Sequence, residues 1–478
     1  MQTSLRDAVK TIGDGVDFVI GHNDKSIRQP PSPRPLTQLD LKIPGSAPAG
    51  LGPVHLHFQA LRSAFCADHP ELIPAISQLA SAGGHDQMRA KHDEQNAARS
   101  WSWRPAFLSA LPLAASFPTV SRRQANTTSA YRPKVILDND WSPAGFIPFL
   151  QALDAGWEVL GILSDTSNTW AVQTGLHALA TLEVGNLSCI PVYKGADWPL
   201  INTPERYTAW KAIHGMLPWE GAFAPENLTA EALGSDPTSG DPKRISRAAF
   251  TEGFPNTTFA EDTNAANFLI QQVRKYPGEV SIYAGGALTN VALAVRMDSD
   301  FASLAKELVI MGGYVDVNLL QTTGSVLQAD ISGDINLQID PEGAKIALTA
   351  GFPNITIASN VANQVMSTQD FLNEIYEVEN PYSRLVHEYY GTQFPFWDET
   401  AAAIMLDPSI VTNSTQFYLD VDTSYSSSRY GNIHGYQKAL APATNLQLVN
   451  FPISIDGDKL KAAIKRAVQY PKSCADII

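Results

Sequence analysis

The stretch Val135-Ile-Leu-Asp-Asn-Asp-Trp-Ser-Pro-Ala-Gly-Phe-Ile147 joins an apolar, β-branched run to two acids, Asp138 and Asp140, and then to a Ser-Pro helix start. Side chains at the carboxyl end of such a strand project into the crevice where open α/β sheets bind ligands. Two carboxylates there can hold a hard cation or take a proton from water. An Asx turn with an N-cap for the next helix explains one of the acids well and two poorly. Further polar groups follow later apolar runs: Ser164-Asp-Thr-Ser-Asn-Thr169, Ala284-Gly-Gly-Ala-Leu-Thr-Asn-Val291, Met311-Gly-Gly-Tyr-Val-Asp-Val-Asn318, Gly333-Asp-Ile-Asn336 and Phe396-Trp-Asp-Glu399. Singly, Asp334 and Asp398 read as helix caps and the glycines as turns. Together, acids and amides after successive strands suit a polyol held beside a cation.

The elements that must position these groups are legible from residue 133 onward. β-branched runs predict strands over 134–138, 158–163, 189–193, 279–284, 306–311 and 354–358, with helical patterns over 143–154, 169–182, 264–275, 287–297, 341–350, 367–377, 398–406 and 457–469. Continuous apolar strands separated by amphipathic helices mean βαβ units, and hence an α/β fold with an open, mostly parallel sheet. The stretch 200–262, rich in Pro, Gly, Trp and Asn, reads as a functional lid or insertion. Residues 415–452 read as a small antiparallel β appendage, and no internal repeat is present.

Composition narrows the partners. At 44% hydrophobic and 17% charged residues, the 478-residue chain has the makeup of a globular protein with a large core, and its net charge of −14 argues against nucleic acid or an anionic membrane. No run reaches the roughly 18 apolar residues of a membrane span. The ten histidines show no zinc spacing, so a small-molecule ligand is the expectation. Three cysteines make no disulfide framework; Cys189 and Cys474 are either a pair or two unrelated buried thiols.

Residues 1–130 differ from the rest and read as a largely unstructured extension, followed by one domain over 131–478. Residues 28–53 are dense in proline. Within about 88–123 lies a signal-like segment: Met88, then Arg89, Lys91 and His92, an apolar stretch from Trp103 to Pro118, and small residues after it. Met88 reads as the biological start and residues 1–87 as an over-extended gene model. Six sequons, at Asn126, Asn186, Asn227, Asn256, Asn354 and Asn413, all follow that segment and point to a secreted glycoprotein.

From Lys134 to about Lys465 the chain resembles the inosine–uridine preferring nucleoside hydrolase family. Asp138-Asn-Asp140 resembles its N-terminal aspartate signature. Tyr283-Ala-Gly-Gly-Ala-Leu-Thr-Asn-Val291 with Glu307-Leu-Val-Ile-Met-Gly-Gly313 resembles its central motif, and Asp334-Ile-Asn-Leu-Gln-Ile-Asp-Pro-Glu-Gly-Ala344 its later D-P-E segment. The resemblance implies a Rossmann-like αβα sandwich that binds one Ca²⁺ and hydrolyses the N-glycosidic bond of ribonucleosides to ribose and free base. It implies that Asp140 ligates calcium and acts as general base on a metal-bound water, with the carbonyl of Thr289 and the carboxylate of Asp398 as further ligands; Asp138 lies in the same metal set. Asn168, Asp334, Asn336 and Asn318 would meet the ribose. His214, in a His-Gly loop, would stand near the leaving base as its acid. The resemblance also implies a homo-oligomer.

The match has gaps. The signature's last two aspartates fall on Ala144 and Gly145, so the calcium site is degenerate, with Asp138, Asp165 or Glu399 as the acid that would compensate. Trp397 replaces a histidine, which favours base stacking over proton donation. A catalytically impaired nucleoside- or sugar-binding protein on the same fold is the alternative reading, and a hydrolase for another N- or O-riboside is a third.

Overall fold

The computed structural model describes residues 131–217, 219–315, 333–442 and 445–477. The extension, the signal-like segment, Cys66, Met88, Asn126 and Asn318 lie outside the described residues.

The β-branched runs form parallel strands β1 (Lys134–Asn139), β2 (Glu158–Ser164), β3 (Val192–Tyr193), β4 (Val280–Ala284), β5 (Glu307–Met311) and β6 (Ile355–Ala358). They lie in the order β3-β2-β1-β4-β5-β6, so the strand order reverses between β1 and β4, where an open sheet leaves a crevice at its carboxyl edge. Asp138 pairs with Leu163 of β2 and Ala284 of β4, which puts the first acid at that reversal.

Because side chains alternate along a strand, each strand feeds two cores. Val135 and Leu137 enter one core with helices α1 (Ile147–Asp154), α2 (Ala171–Val184) and the C-terminal helices; Ile136 enters the other, with α4 (Ala265–Lys275) and α5 (Thr289–Met297). Between α2 and α4 runs the insertion, which carries α3 (Pro204–His214). Beyond β5 come α6 (Ile335–Ile339) and α7 (Pro341–Leu348), then α8 (Gln369–Tyr376), α9 (Pro381–Tyr389) and α10 (Trp397–Leu406). Helix α9 is absent from the sequence-based expectation, although Asn380-Pro381 supplies its cap and first turn.

The antiparallel strands expected over 415–452 form, but they extend the main sheet. β7 (Val411–Val421), β8 (Ile433–Tyr436) and β9 (Gln447–Ile455) complete a nine-stranded sheet, with β9 joined parallel to β6 at Thr356 and Asn450. The chain closes with α11 (Gly457–Gln469) and α12 (Cys474–Ile477). Cys189 and Cys474 are disulfide-bonded, which resolves the two alternatives in favour of the pair. No helix among the described residues is long and apolar enough to cross a membrane.

Candidate active site

The strand ends β1, β2 and β4 and the start of α10 bring acids from four places in the sequence into one buried cluster. Asp138 is fully buried; its Oδ1 accepts from Asn290 Nδ2 at 2.9 Å while Oδ2 has no partner. Asp140, one turn further, accepts at Oδ2 from the backbone amide of Asn168 at 2.9 Å. Asp165 follows β2, with its amide 3.4 Å from the carbonyl of Asn139, so it extends the β1–β2 ladder beside Asp140. Asp398, in the first turn of α10, accepts from Asn139 Nδ2 at 3.1 Å. Behind it, Glu399 accepts from Tyr390 at 3.1 Å.

The electrostatics follow from this crowding. Burial, and then the charge of Asp398, holds Asp140 well above the usual carboxylate range. Burial raises Asp165 as well, reinforced by Asp138 and Asp140. Burial raises Asp138 and Asp398 against the pull of their amide hydrogen bonds. Glu399 is pushed up to about 8 by burial and then by Asp398. No lysine or arginine among the described residues forms an ion pair with any of these five acids.

Such a cluster is costly unless a proton or a cation compensates it. Among the described residues, Asp138 Oδ2 and Asn139 Oδ1 are buried without hydrogen bonds, while the backbone amide of Ala287 acts on Asp165; all three side chains offer hard oxygen donors of the kind calcium takes. Among the described residues no three His, Cys, Asp or Glu side chains by themselves form a metal-binding group. The residues match a cation in charge and donor type, but the described acids alone are not gathered as a metal-holding group. Thr289 opens α5, and its hydroxyl donates to Asp340 Oδ2 at 2.7 Å, which leaves its backbone carbonyl as the oxygen to offer.

The remaining expected site residues surround this cluster at different depths. Asn168 lies next to Asp140, and its Oδ1 accepts from Trp219 Nε1 at 2.7 Å. Asp334 caps α6 through the amides of Asn336 and Leu337, and its charge is near enough to raise Asp398. Asn336 is engaged on both sides: Oδ1 accepts from Ser167 at 2.7 Å, and Nδ2 donates to the carbonyl of Gly285 at 2.7 Å. Trp397 is half-buried against the core, and its Nε1 donates to Asn363 at 2.6 Å. His214 ends α3, with its ring 5.3 Å from that of Trp210 of the same helix.

The insertion is seated on the same strand ends. Gly221, in the left-handed region at φ 52°, brings backbone so close to Ser167 that a Cβ would lie 2.2 Å from the Ser167 carbonyl. The next amide, Ala222, donates to that carbonyl at 2.7 Å. Further out, His177 of α2 is fully buried between Asp236 at 2.9 Å and Glu252 at 2.5 Å. Burial alone would lower its pKa; the two carboxylates outweigh that and lift it to about 9.

Several of these partners are missing from the sequence-based expectation. Asn139 and Asn290 each hold an acid, and Trp219 holds Asn168. Asn290 follows Thr289 within the Leu-Thr-Asn turn, and Asn139 lies between the two first acids, so both carried a positional signal. Trp219 carried none, because its partner is 51 residues away.

Comparison with known proteins agrees with this architecture. The model of the inosine-uridine preferring nucleoside hydrolase family matches residues 135–462. The chain is 33% identical over 326 residues to an uncharacterized protein of Schizosaccharomyces pombe, covering 65% of this chain and 78% of that one. It is 30% identical over 246 residues to a protein of Oryza sativa named probable uridine nucleosidase 1, covering 51% of this chain and 64% of that protein, a little under two thirds of its length. A solved plant nucleoside hydrolase shares the fold with a TM-score of 0.55 at 21% identity, covering 71% of this chain and all of that one. The family match spans most of the sheet and every acid of the cluster, and the chain belongs to the inosine-uridine preferring nucleoside hydrolase family.

Proposed function

We propose that this chain hydrolyses the N-glycosidic bond of ribonucleosides to ribose and free base. The observation that carries the reading is the buried acidic cluster at the carboxyl edge of the sheet, with no basic side chain among the described residues paired to it and the amide of Asn168 beside it. In this reading Asp138, Asp140, Asp398 and the Thr289 carbonyl would hold a divalent cation, with calcium the expected ion. When bound, that ion would lower the pKa of the attacking water and anchor vicinal sugar hydroxyls.

Asp140 is the proposed base. The amide of Asn168 occupies its Oδ2 and orients the carboxylate, and a raised proton affinity suits a group that must take a proton near neutral pH. Glycosidic cleavage develops positive charge on the sugar, and the surrounding carboxylates stabilise that charge in a site of low dielectric. Asn168, Asp334 and Asn336 are the proposed ribose contacts. Trp397 has its N–H committed to Asn363, which leaves His214 as the proposed proton donor to the departing base. Asp140→Ala and Asp398→Ala should each abolish ribose release from inosine and uridine while the protein stays folded. Full activity in either variant would remove that residue from the site.

We also propose that the protein is secreted, with a signal within 88–123 and the domain over 131–478 as the working enzyme. The Cys189–Cys474 disulfide supports an oxidising compartment. Asn186, Asn227 and Asn413 are exposed and open to glycosylation; Asn256 is exposed with its Nδ2 donating to Glu183 at 3.2 Å. Asn354 is only partly exposed, and its side chain is already bonded to Glu307 and Asn450.

A further inference from the structure

We propose that Trp219 is a positioning residue of the ribose site, whose indole N–H fixes the side-chain amide of Asn168 with its NH2 end toward the sugar. The inference rests on the hydrolase reading above, in which Asn168 meets ribose, and adds to it a residue of the insertion.

An indole nitrogen can only donate, whereas a side-chain amide has an acceptor end and a donor end. The end of Asn168 that lies 2.7 Å from Trp219 Nε1 is therefore its oxygen, Oδ1. Nδ2 is then the end that donates to a sugar hydroxyl. The last torsion of an asparagine is broad and roughly two-fold, so without the indole the oxygen could take that place. The main chain of Asn168 is held independently, since its amide donates to Asp140 Oδ2 at 2.9 Å. The acidic cluster thus fixes where Asn168 stands, and the insertion fixes which way its amide faces.

The indole has a firm mounting. The next residue, Glu220, accepts from Lys211 Nζ at 2.6 Å, and both side chains are largely buried. Beyond it, the Gly221 turn and the amide of Ala222 seat the same segment on the carbonyl of Ser167, the neighbour of Asn168. Trp219 itself is 55% exposed, so changing its ring leaves the core intact.

The test uses the full purified chain and reads ribose release from inosine and from uridine in a double-mutant cycle. Trp219→Phe keeps an aromatic ring and removes the donor. It should lower kcat/KM about three- to tenfold, by the same factor for both nucleosides, with an unchanged melting temperature. In an Asn168→Ala background the same substitution should have no further effect, because the amide it orients is gone. An equal loss in both backgrounds would overturn the proposal and make Trp219 a seat for the insertion. A loss confined to one nucleoside would overturn it too and assign the ring to the base. Unchanged kinetics in folded Trp219→Phe would leave the indole without a role and the hydrolase reading intact. Trp219→Leu serves as a second variant should Trp219→Phe fail to accumulate. Where turnover is absent, calorimetric affinity for inosine reads the same cycle, so a wild type that releases no ribose removes the hydrolase reading without removing this test.

Discussion

In the proposed roles, Asp140 and Asp398 would both weaken the fold and perform the chemistry. Asp140 accepts from the backbone amide of Asn168 and from Ser167, Asp398 accepts from Asn139, and each is raised by burial. Neutralising either one should therefore cost at least roughly 100-fold in turnover while the melting temperature measured in chelator holds or rises, since one of several like charges has gone. Thermal unfolding beside ribose release checks both halves. Asp138, Asp140 and Asp398 were legible in the sequence because each sits where a β-branched run stops or an Ala-rich helix begins. Asp165 was readable as one of three acids that would compensate for the lost aspartates, but not where it sits. Its place depends on the β1–β2 register, which puts it beside Asp140, and on the glycine at 286 that gives its carboxylate room; neither is visible in one segment. Asn336 shows the converse: its position was legible, but its saturation by Ser167 and Gly285 was not.

At the scale of elements, the insertion between α2 and α4 is fastened where sequence patterns are weakest. Its fastening to α2 is a histidine between two carboxylates that lie 59 and 75 residues further along the chain. Removing the central partner of such a buried arrangement strands Glu252, whose side chain is fully buried. His177→Gln should destabilise the protein by about 3 kcal/mol. The pH dependence has a definite sign. The folded-state pKa, about 9, lies above the unfolded value, so this contribution is fully present below pH about 6.5 and is lost as pH rises through about 9. Melting temperature should fall between pH 7 and 10 in the wild type by more than in His177→Gln, and parallel curves for the two would contradict the assignment. The parallel strands and their helices were legible because burial on both faces leaves long apolar runs. Helix α9 was missed although Asn380-Pro381 signals its start, and the joining of β9 to β6 was not readable because a single residue pair makes it.

At the scale of the whole molecule, the Cys189–Cys474 bond spans 285 residues and ties the C-terminal turn to the end of α2. Removing it through Cys189→Ser with Cys474→Ser should lower stability by about 2–4 kcal/mol and leave the acidic cluster, built from other elements, able to bind calcium. Chemical denaturation of the double variant checks the first expectation and calorimetry the second. Sequence alone left this pair open, since two thiols so far apart in the chain are brought together only by the packing of the sheet and its last helices. The central claim concerns the whole molecule as an enzyme, and ribose release tests it most directly. The purified protein would be given inosine, uridine or adenosine, first with added calcium and then after exhaustive chelation. The account predicts release from at least one nucleoside with calcium and its loss on chelation. No release from any of them under either condition, with calorimetry still registering nucleoside binding, would contradict it and leave a binding protein on this fold.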